Sequence, residues 1–488
     1  MGWDAAPQIS GAWVGAFSTG SSEEIDIRMN QQNLRSTLSK LVTVAAAMCV
    51  AQVGAAQDAP KLVQDSQISA AFKEISAERI QADVEKLVSF GTRSTLSAQD
   101  PESMAKGRGI GAAREWIQSE FERYSKQCGG CLEVKTDSFL EQPAERIPVP
   151  TEVTNVYAVL KGTDPVEAKR IVLVTGHYDS RNGDTLDTKG DAPGANDDAS
   201  VTAVSLECAR VLSTAKFPAT IIFLAVAGEE QGLNGSRHFA RMAKEQGWNL
   251  EAVLNNDIVG GDKSAEQDPS LVRVFSEGLP LSATEQDVRR IRALGGESDS
   301  GSREVARYIA EVGRTYDAGL KPMLVFRLDR YLRGGDHSSF NQQGFSAVRF
   351  TEFREDFHHQ HQNVRNENGI EYGDLPKFVD YEYVAHVARL NAATLASLAS
   401  APAPPANVHL LTKNLENDST LSWDASPGAA EYEVLWRATT SPDWEHAQSF
   451  GNRTSATLKI SKDNVIFAAV AVDARGHRSL AVVPVPER

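Results

Sequence analysis

The sequence has no surplus of basic residues: 50 lysines and arginines stand against 65 aspartates and glutamates, for a formal net charge of −15. This balance argues against nucleic acid or an anionic membrane as the main partner, because both attract basic surfaces. We find no internal repeat in the central part and no long low-complexity tract. With 488 residues and 41% hydrophobic content, the chain is typical of a soluble globular protein of two or three domains.

The N-terminal region lacks an apolar run long enough for a comfortable membrane span. Within residues 29–56, the basic residues Arg35 and Lys40 precede a short apolar core at 41–53 that is followed by small residues. This is the layout of a secretory signal peptide, so we expect a secreted or periplasmic protein without an integral membrane span. We expect Met29 to be the true start of the protein, so that residues 1–28 are an extension included through assignment of too early a start codon.

Cysteine is also scarce, with four residues at positions 49, 128, 131 and 208. Cys128 and Cys131 form the motif CGGC, which could be redox-active or half of a zinc site in a cytosolic protein. After export a short-loop disulfide is the better interpretation, and we expect it here. Cys208 lies in the helix-like stretch TAVSLECARVL and is expected to be a small buried hydrophobic residue.

The central part alternates between two hydrophobic patterns. Residues 57–125 carry apolar residues at helical spacing, and strand-like runs then follow at 170–180, 219–228 and 250–260 with helix-like segments between them. Such alternation predicts βαβ units. We therefore expect an α/β domain over residues 57–400, with a mainly parallel mixed sheet flanked by helices on both faces.

The composition changes after the stretch APAPPAN at 401–407, whose prolines and alanines predict a stiff linker. Short alternating segments follow it, including STLSWDAS and EYEVLWRA. They predict a small all-β sandwich over residues 408–488.

Ionisable residues cluster where the predicted strands end. His177 follows one apolar run, Glu229 and Glu230 follow the next, Asp257 ends a third, and Asp197 lies just before a helix. In an open α/β sheet these strand ends share one edge, and so many carboxylates would repel one another without a cation. Histidine and carboxylate without cysteine suit zinc, and also cobalt or manganese. A carboxylate shared between two ions would make a two-metal site.

A two-metal site needs a second histidine. The polar stretch FREDFHHQHQNVRN supplies His358, His359 and His361, three of the ten histidines of the chain within four positions.

The motifs as a set resemble a known family. In order they are GHYDS, PGANDDAS, AGEEQGLNGS, LNNDIVGG, GGDHSSF and the late histidine cluster. They are similar to the bacterial leucyl aminopeptidase-like family of co-catalytic zinc metallopeptidases, over about residues 60–400. The wider group includes glutamate carboxypeptidases, glutaminyl cyclases and the inactive transferrin receptor.

The resemblance implies two zinc ions and assigns a role to each residue. His177 resembles the histidine ligand of one zinc and Asp257 its carboxylate partner. Asp197 resembles the carboxylate that bridges both ions, and Glu230 the carboxylate of the second zinc. Glu229 resembles the general base.

Further roles follow from the same resemblance. Asp179 resembles the carboxylate that orients the imidazole, and the peptide bond after Asp197 is expected to be cis. The family usually shows His-Thr-x-x-Asp at the last ligand, where this chain has HQHQN from His359. We select His359, with His361 as the next candidate and His358 third.

Asp336 and His337, in GGDHSSF, are expected to border the substrate pocket rather than to bind metal. The C-terminal part resembles a fibronectin type III domain, with Trp423, Tyr432 and Trp436 fitting its pattern. Such a domain is a spacer or adhesion module, and a candidate for binding a surface or polymer.

The expected function is that of a secreted dinuclear zinc exopeptidase acting on peptides. We expect an aminopeptidase in which a metal-bound hydroxide attacks the peptide bond and Glu229 acts as general base. Alternatives are a carboxypeptidase or dipeptidase on the same metals, a one-zinc glutaminyl cyclase, or a non-catalytic binding protein like the receptor branch.

Overall fold

The structure is a computed structural model that describes residues 59–264 and 266–487. The predicted signal peptide at 29–56 and the predicted extension at 1–28 lie outside the described residues. No α-helix in the described part is both long enough and apolar enough to cross a lipid bilayer.

The first part of the described chain, to Ser400, is mixed α and β. Its α-helices are α1 (Ser66–Lys73), α2 (Ala77–Val88), α3 (Pro101–Ala105), α4 (Ile110–Gln127), α5 (Ser200–Leu212), α6 (Asn234–Glu245), α7 (Glu285–Leu294), α8 (Gly301–Tyr316), α9 (His337–Gln342) and α10 (Tyr381–Ser400). Its strands are β1 (Leu132–Glu141), β2 (Thr151–Leu160), β3 (Arg170–His177), β4 (Thr220–Val226), β5 (Asn249–Asn256), β6 (Leu271–Ser276), β7 (Lys321–Val325), β8 (Ala347–Glu352), β9 (Arg365–Glu367) and β10 (Ile370–Tyr372). Short 3₁₀ turns lie at Glu167–Lys169 and Pro376–Phe378.

Strands β1 to β8 form one sheet in the order β1-β2-β4-β3-β5-β8-β6-β7. The central strands β4, β3, β5 and β8 run parallel, and β1, β2 and the β6–β8 pair supply antiparallel contacts. Because the central strands are parallel, their carboxyl ends lie at one edge of the sheet. Strands β9 and β10 form a separate hairpin.

The central strands are buried on both faces, which explains their continuous apolar runs. In β3, Val172 and Val174 belong to the core beneath α5 and α10, whereas Leu173 belongs to the core beneath α6 and α9. This alternation follows from the two-residue period of a strand. The structure confirms the predicted α/β architecture, a mixed sheet with helices on both faces.

Side-chain caps fix where helices begin. In α2, the Ser76 hydroxyl accepts a hydrogen bond from the Arg79 N–H, and in α10 Asp380 accepts from the N–H groups of Glu382 and Tyr383. Such caps satisfy N–H groups that have no partner within the helix. The predicted disulfide between Cys128 and Cys131 is present at the end of α4, and Cys208 is fully buried, as predicted.

The C-terminal part is all β, beginning at β11. Its strands are β11 (Ala406–Leu411), β12 (Ser419–Asp424), β13 (Glu431–Ala438), β14 (His446–Ser449), β15 (Ser455–Leu458), β16 (Val465–Val472) and β17 (Val485–Glu487). They form a sheet of order β15-β12-β11-β17 and a second of order β14-β13-β16. Trp423, Tyr432 and Trp436 are buried between these sheets.

The C-terminal part contacts α8 through polar groups. The Trp444 indole N–H donates to Glu304 (2.9 Å), and the Arg478 guanidinium donates to Glu311 (2.8 Å). Arg437 forms an ion pair with Asp299, just before α8.

Candidate metal centre

Three parallel strands deliver the central residues of the site. Strand β3 ends at His177, β4 ends three residues before Glu229, and β5 ends immediately before Asp257. Because these strands are neighbours in the sheet, their ends bring imidazole and carboxylate groups to the same edge.

Two groups of possible ligands meet there, and they share one residue. The first comprises His177, Asp197 and Asp257, and the second comprises Asp197, Glu230 and His361. Within each group the potential ligand atoms lie within 4.8 Å of one another. We call the two groups together the shared-aspartate centre.

Each oxygen of Asp197 faces one of the two groups. Oδ1 lies 3.3 Å from Nε2 of His177, and Oδ2 lies 2.8 Å from Nε2 of His361. The same imidazole nitrogen of His361 lies 2.9 Å from Oε1 of Glu230. A carboxylate placed in this way can bridge two cations.

The backbone around Asp197 is held by hydrogen bonds to Asp374. Residues Ala195–Ala199 form a single π-helical turn, and the Asp197–Asp198 peptide bond is cis, as the resemblance implied. The Asp374 carboxylate accepts hydrogen bonds from the N–H groups of Asn196 (2.8 Å) and Asp197 (2.7 Å). These two hydrogen bonds hold the backbone from which the Asp197 side chain extends into the centre.

The structure does not place His359, the histidine selected from the sequence, in the shared-aspartate centre; the histidine found there is His361, the next candidate. Nδ1 of His359 lies 2.5 Å from Oδ2 of Asp262, and its ring stacks on Phe378. His361 itself has a φ of 55°, in the left-handed region, and its ring contacts Asp197 and Glu230 instead of Asp262. His358 is mostly exposed and faces Asp356.

Glu229 and Glu230 have different surroundings. Glu230 is buried with its carboxylate toward His361, whereas Glu229 is half-buried and lines the cleft above the centre. Desolvation, together with the charges of Asp257 and Glu230, raises the pKa of Glu229 well above its usual range. Glu229 is therefore a proton acceptor of increased basicity.

Asp179 connects the histidine to the glutamate pair. Its backbone oxygen lies 3.0 Å and its Oδ1 3.4 Å from Nδ1 of His177. The carboxylate also accepts a hydrogen bond from the hydroxyl of Thr95 (2.9 Å). Because Nδ1 is held in this way, Nε2 of His177 is left to face the shared-aspartate centre.

Two arginines contact the carboxylates of the centre. Arg349 is fully buried, and its guanidinium lies 2.8 Å from Oδ1 of Asp257 and 2.9 Å from Oδ2 of Asp329. Arg181 lies 2.9 Å from Oε2 of Glu230 and donates to Nδ1 of His361 (2.6 Å). Both arginines therefore orient potential ligands from outside.

Titration properties reflect the excess of carboxylates. Burial opposes protonation of His177, but Asp198, Asp179 and Asp197 outweigh it and raise its pKa well above the usual value. Burial also acts to raise the pKa of Asp197, yet the neighbouring imidazoles, led by His361, hold it well below the usual range.

These residues fit a pair of zinc ions. Oε1 of Glu230 and Nε2 of His361 are both buried and lie only 2.9 Å apart, yet neither forms a hydrogen bond of acceptable geometry with any residue that the structure describes. Buried polar atoms without partners are costly, and lone pairs directed at a cation would remove that cost. The donors are imidazole nitrogen and carboxylate oxygen, which is the mixture that zinc accepts.

The centre opens into a cleft with a volume of about 560 Å³. Glu229, Glu230 and Gln360 line its floor, and Leu233, Leu332 and Phe357 add apolar surface. Three arginines, Arg146, Arg181 and Arg333, also line the cleft.

Asp336 and His337 lie beside the centre and are both buried. Burial raises the pKa of Asp336 to about 7 and lowers that of His337. Neither belongs to the two ligand groups.

Sequence reasoning missed Arg349, Arg181 and Asp374. One of them left a signal, because Arg349 is a charged residue in a strand whose residues are all buried. Such a residue requires a buried partner. Asp374 lies in a loop far along the chain and left no comparable signal.

The chain is similar in sequence to known proteins over most of its length. The profile described as peptidase family M28 matches residues 155–377. A "Probable zinc metalloprotease" of Pyrenophora teres f. teres is 46% identical over 429 residues, covering 86% of this chain and 87% of that protein. A protein of the same description from Pyricularia oryzae is 48% identical over 434 residues, covering 86% and 85%.

Solved structures with partial similarity were also found. The LapA aminopeptidase of Legionella pneumophila is 21% identical, with a TM-score of 0.48 and coverage of 71% of this chain and 77% of that chain. A glutaminyl cyclase of Fimbriiglobus ruber is 19% identical, with a TM-score of 0.45 and coverage of 66% and 95%.

Proposed function

Because this chain belongs to peptidase family M28 and is a zinc metallopeptidase, we propose that it is a dinuclear aminopeptidase that removes N-terminal residues from peptides. One observation carries the dinuclear part of this proposal. Asp197 is common to two ligand groups, and its two oxygens face a different histidine in each group.

In the proposed centre each ion has its own ligands. His177 and Asp257 would hold one zinc ion, Glu230 and His361 the other, and Asp197 both. Bound zinc supplies a Lewis acid that polarises the scissile carbonyl and lowers the pKa of water toward 7.

Glu229 moves the proton in this proposal. Its half-buried carboxylate lies at the cleft surface, beside the ligand Glu230 but not part of a ligand group. It would take a proton from the attacking water and later deliver it to the leaving amine nitrogen. The raised pKa of Glu229 favours the first of these transfers, because it makes the carboxylate a stronger proton acceptor.

Negative charge near the centre supports recognition of a peptide N-terminus. Glu229 and Glu230 line the cleft, and Asp336 is buried close to them. An α-ammonium group beside these carboxylates would gain favourable electrostatic energy in a partly desolvated site. The scissile bond of the first residue would then lie next to Glu229.

The three arginines of the cleft favour a second candidate, a carboxypeptidase or dipeptidase. Arg146, Arg181 and Arg333 are suited to bind a C-terminal carboxylate. Each already has an acidic or carbonyl partner in the chain: Arg146 and Arg181 bind Glu230, and Arg333 binds Glu355. The arginines therefore need not be available to a substrate, and we place this candidate second.

A matched peptide panel tests the proposal. One tetrapeptide would be supplied free, acetylated at its N-terminus, amidated at its C-terminus, and blocked at both ends. An aminopeptidase cleaves the free and amidated forms and leaves the acetylated forms intact. If the enzyme instead cleaved the acetylated peptide and left the amidated peptide intact, the aminopeptidase proposal would fail and the carboxypeptidase would take its place.

Removal of metal completes that experiment. Treatment with a chelator should abolish cleavage, and zinc should restore it. Metal analysis of the Glu230→Gln variant should then show loss of zinc from the shared-aspartate centre, because one ligand charge is removed. Full metal content in that variant would contradict the assigned ligands.

We also propose that the protein is exported and that its C-terminal part is a fibronectin type III domain. The signal-like segment at 29–56 supports export, and the Cys128–Cys131 disulfide is compatible with an oxidising compartment. Two sheets around Trp423 and Trp436 support the domain assignment. N-terminal sequencing of the protein recovered from its source tests export: a mature N-terminus near residue 57 is expected, and an intact Met1 or Met29 would contradict it.

A further inference from the structure

A second cluster of possible metal ligands lies outside the shared-aspartate centre. It comprises Asp262, in the loop after β5, and Asp356 and His359, in the loop after β8. The potential ligand atoms of these three residues lie within 4.8 Å of one another. We call this group the lateral cluster.

The side chains of the lateral cluster are held in place. Nδ1 of His359 lies 2.5 Å from Oδ2 of Asp262, and Phe378 stacks on the imidazole ring with the centroids 3.6 Å apart. Oδ1 of Asp356 accepts a hydrogen bond from the N–H of His358 (2.8 Å). The cluster therefore does not depend on freely moving surface side chains.

Unsatisfied buried oxygens are found at the same place. A small cavity of about 10 Å³ is lined by Asp356 and His359 together with Glu352 and Gln360. Glu352 is fully buried and Gln360 is 7% exposed, and Oε1 of each forms no hydrogen bond with the described residues. Oδ1 of Asp262, which is 3% exposed and is not itself part of the cavity lining, also has no hydrogen-bond partner among the described residues.

Leaving such oxygens without partners is unfavourable, at about 1–3 kcal/mol for each. The contact of His359 is with the other oxygen of Asp262, Oδ2, so it satisfies none of the three. A cation in the cavity could satisfy several oxygens at once. The cavity, at about 10 Å³, is smaller than the volume that a water molecule occupies in the liquid, and a bare metal ion is small enough for it.

The carboxylates of the lateral cluster contact histidines, not lysine or arginine. Across the described residues, no lysine or arginine forms an ion pair with Asp262, Glu352 or Asp356. Within residues 59–264 and 266–487, the Glu352 carboxylate accepts hydrogen bonds from the side-chain amide of Asn196 (3.0 Å) and the backbone N–H of Asp262 (3.1 Å). By contrast, the neighbouring Glu355 is paired with arginines.

We propose that Asp262, Asp356 and His359, with the free oxygen of Glu352 in the adjoining cavity, bind a third divalent cation, and that this cation is zinc. The imidazole selects a transition metal over calcium or magnesium, which prefer oxygen ligands only. The ion would link the loop after β5 to the loop after β8, and would so restrict the motion of the loop that carries His361. This inference does not depend on the proposed function.

Zinc binding to metal-free protein tests the proposal. Isothermal titration with zinc, checked by elemental analysis after gel filtration, should give three equivalents for the unaltered chain. The Asp262→Asn/His359→Ala variant should give two. Asp268→Asn, a change at a half-buried aspartate of the same loop region, should still give three.

A second set of variants separates this proposal from the dinuclear centre. His177→Ala/His361→Ala removes a ligand from each group of the shared-aspartate centre and should retain one zinc equivalent at the lateral cluster. Adding Asp262→Asn and His359→Ala should abolish that equivalent. If the unaltered chain binds one ion that only the lateral variants lose, the dinuclear centre fails and the third site stands.

Hydrogen exchange covers the case in which the lateral variants do not fold. In the His177→Ala/His361→Ala variant, zinc should slow amide exchange at residues 356–362 and 260–264 without altering exchange in the C-terminal part. Zinc-independent exchange at these residues would overturn the proposal. So would equal zinc stoichiometry in the unaltered and lateral variants.

Discussion

Oδ1 of Asp179 accepts a hydrogen bond from the backbone N–H of Glu229 at 3.3 Å, and its Oδ2 accepts one from the N–H of Glu230 at 3.2 Å. A single buried carboxylate at the end of β3 thus sets the backbone position of both glutamates that follow β4. The proton acceptor and its neighbouring ligand are positioned by a third residue that belongs to neither ligand group.

The variant Asp179→Asn tests this positioning role. We expect kcat to fall about 10- to 100-fold, the range observed when partners of metal ligands are altered, because an amide can accept at only one of its two positions. Steady-state kinetics and zinc analysis on the same sample provide the measurement. Thr95→Val, which removes one donor to Asp179 from outside the site, is the milder control. Unchanged kcat in Asp179→Asn would refute the role.

Glu229→Gln should remove catalysis and spare metal binding. The glutamine cannot accept the proton, so we expect kcat to fall by about 10²–10⁴-fold or more, with zinc content and thermal unfolding temperature unchanged. Zinc analysis, calorimetry and a peptide assay are the three measurements. Glu230→Gln is the matched comparison one position along the chain, and it should lose zinc as well as activity. A Glu229→Gln enzyme within a few-fold of the original rate would exclude Glu229 as the base.

His361→Ala and His359→Ala should differ in activity. Only His361 faces Asp197 and Glu230, so its removal should reduce peptidase activity at least about 100-fold, by loss of a metal ligand or its supporting interactions. His359→Ala should keep activity within about tenfold. A peptide assay at saturating zinc gives the comparison. The reverse ranking would restore His359 as the ligand.

Arg349→Met should destabilise the folded protein. The change leaves Asp257 and Asp329 as buried carboxylates without their shared cation, and breaking such a buried pair costs about 3–5 kcal/mol. Urea unfolding of the metal-free protein measures the loss. The control is Arg354→Met, an exposed arginine paired with Glu266, for which we expect less than about 1 kcal/mol. Equal losses in the two variants would contradict the buried role of Arg349.

Asp83→Asn should change how stability depends on pH. Burial, together with Glu120 and Glu207, raises the pKa of Asp83 to about 7 in the folded protein, against 3.8 in an ordinary environment. Between these pH values the unfolded chain is ionised at this residue while the folded chain keeps the proton. Rising pH therefore favours unfolding from about pH 4 to about pH 7, with no further effect above that range.

Asparagine at this position cannot ionise. We therefore expect Asp83→Asn to be more stable than the original protein at pH 8, by about 2–4 kcal/mol, and the difference to vanish below pH 4. Urea unfolding at several pH values measures this. A stability difference that does not vary with pH would show that Asp83 is ionised in the folded state.

Much of the fold could be predicted because buried parallel strands have a strong signature. The apolar runs at 170–180, 219–228 and 250–260 correspond to β3, β4 and β5, and polar residues at the strand ends led to His177, Glu230 and Asp257. The structure brings these residues to one edge because strand order and direction follow from the βαβ pattern.

The parts that could not be predicted depend on backbone conformation and on distant contacts. The choice between His359 and His361 depended on the backbone conformation of their loop, including the positive φ of His361, which residue spacing does not reveal. Asp374 supports Asp197 across 177 positions of sequence, and Arg349 reaches Asp257 across a parallel strand pair. Local pattern can mark a buried charge such as Arg349, but it does not identify the distant residue that pairs with it.

The polar contacts between α8 and the C-terminal sheets have a consequence for shortened forms of the chain. A protein cut after Ser400 would keep Glu304 and Glu311 but lose the indole and guanidinium donors supplied by Trp444 and Arg478. Acidic groups that were covered would then face solvent or one another. Any naturally truncated relative should therefore carry neutral or basic replacements at those helix positions.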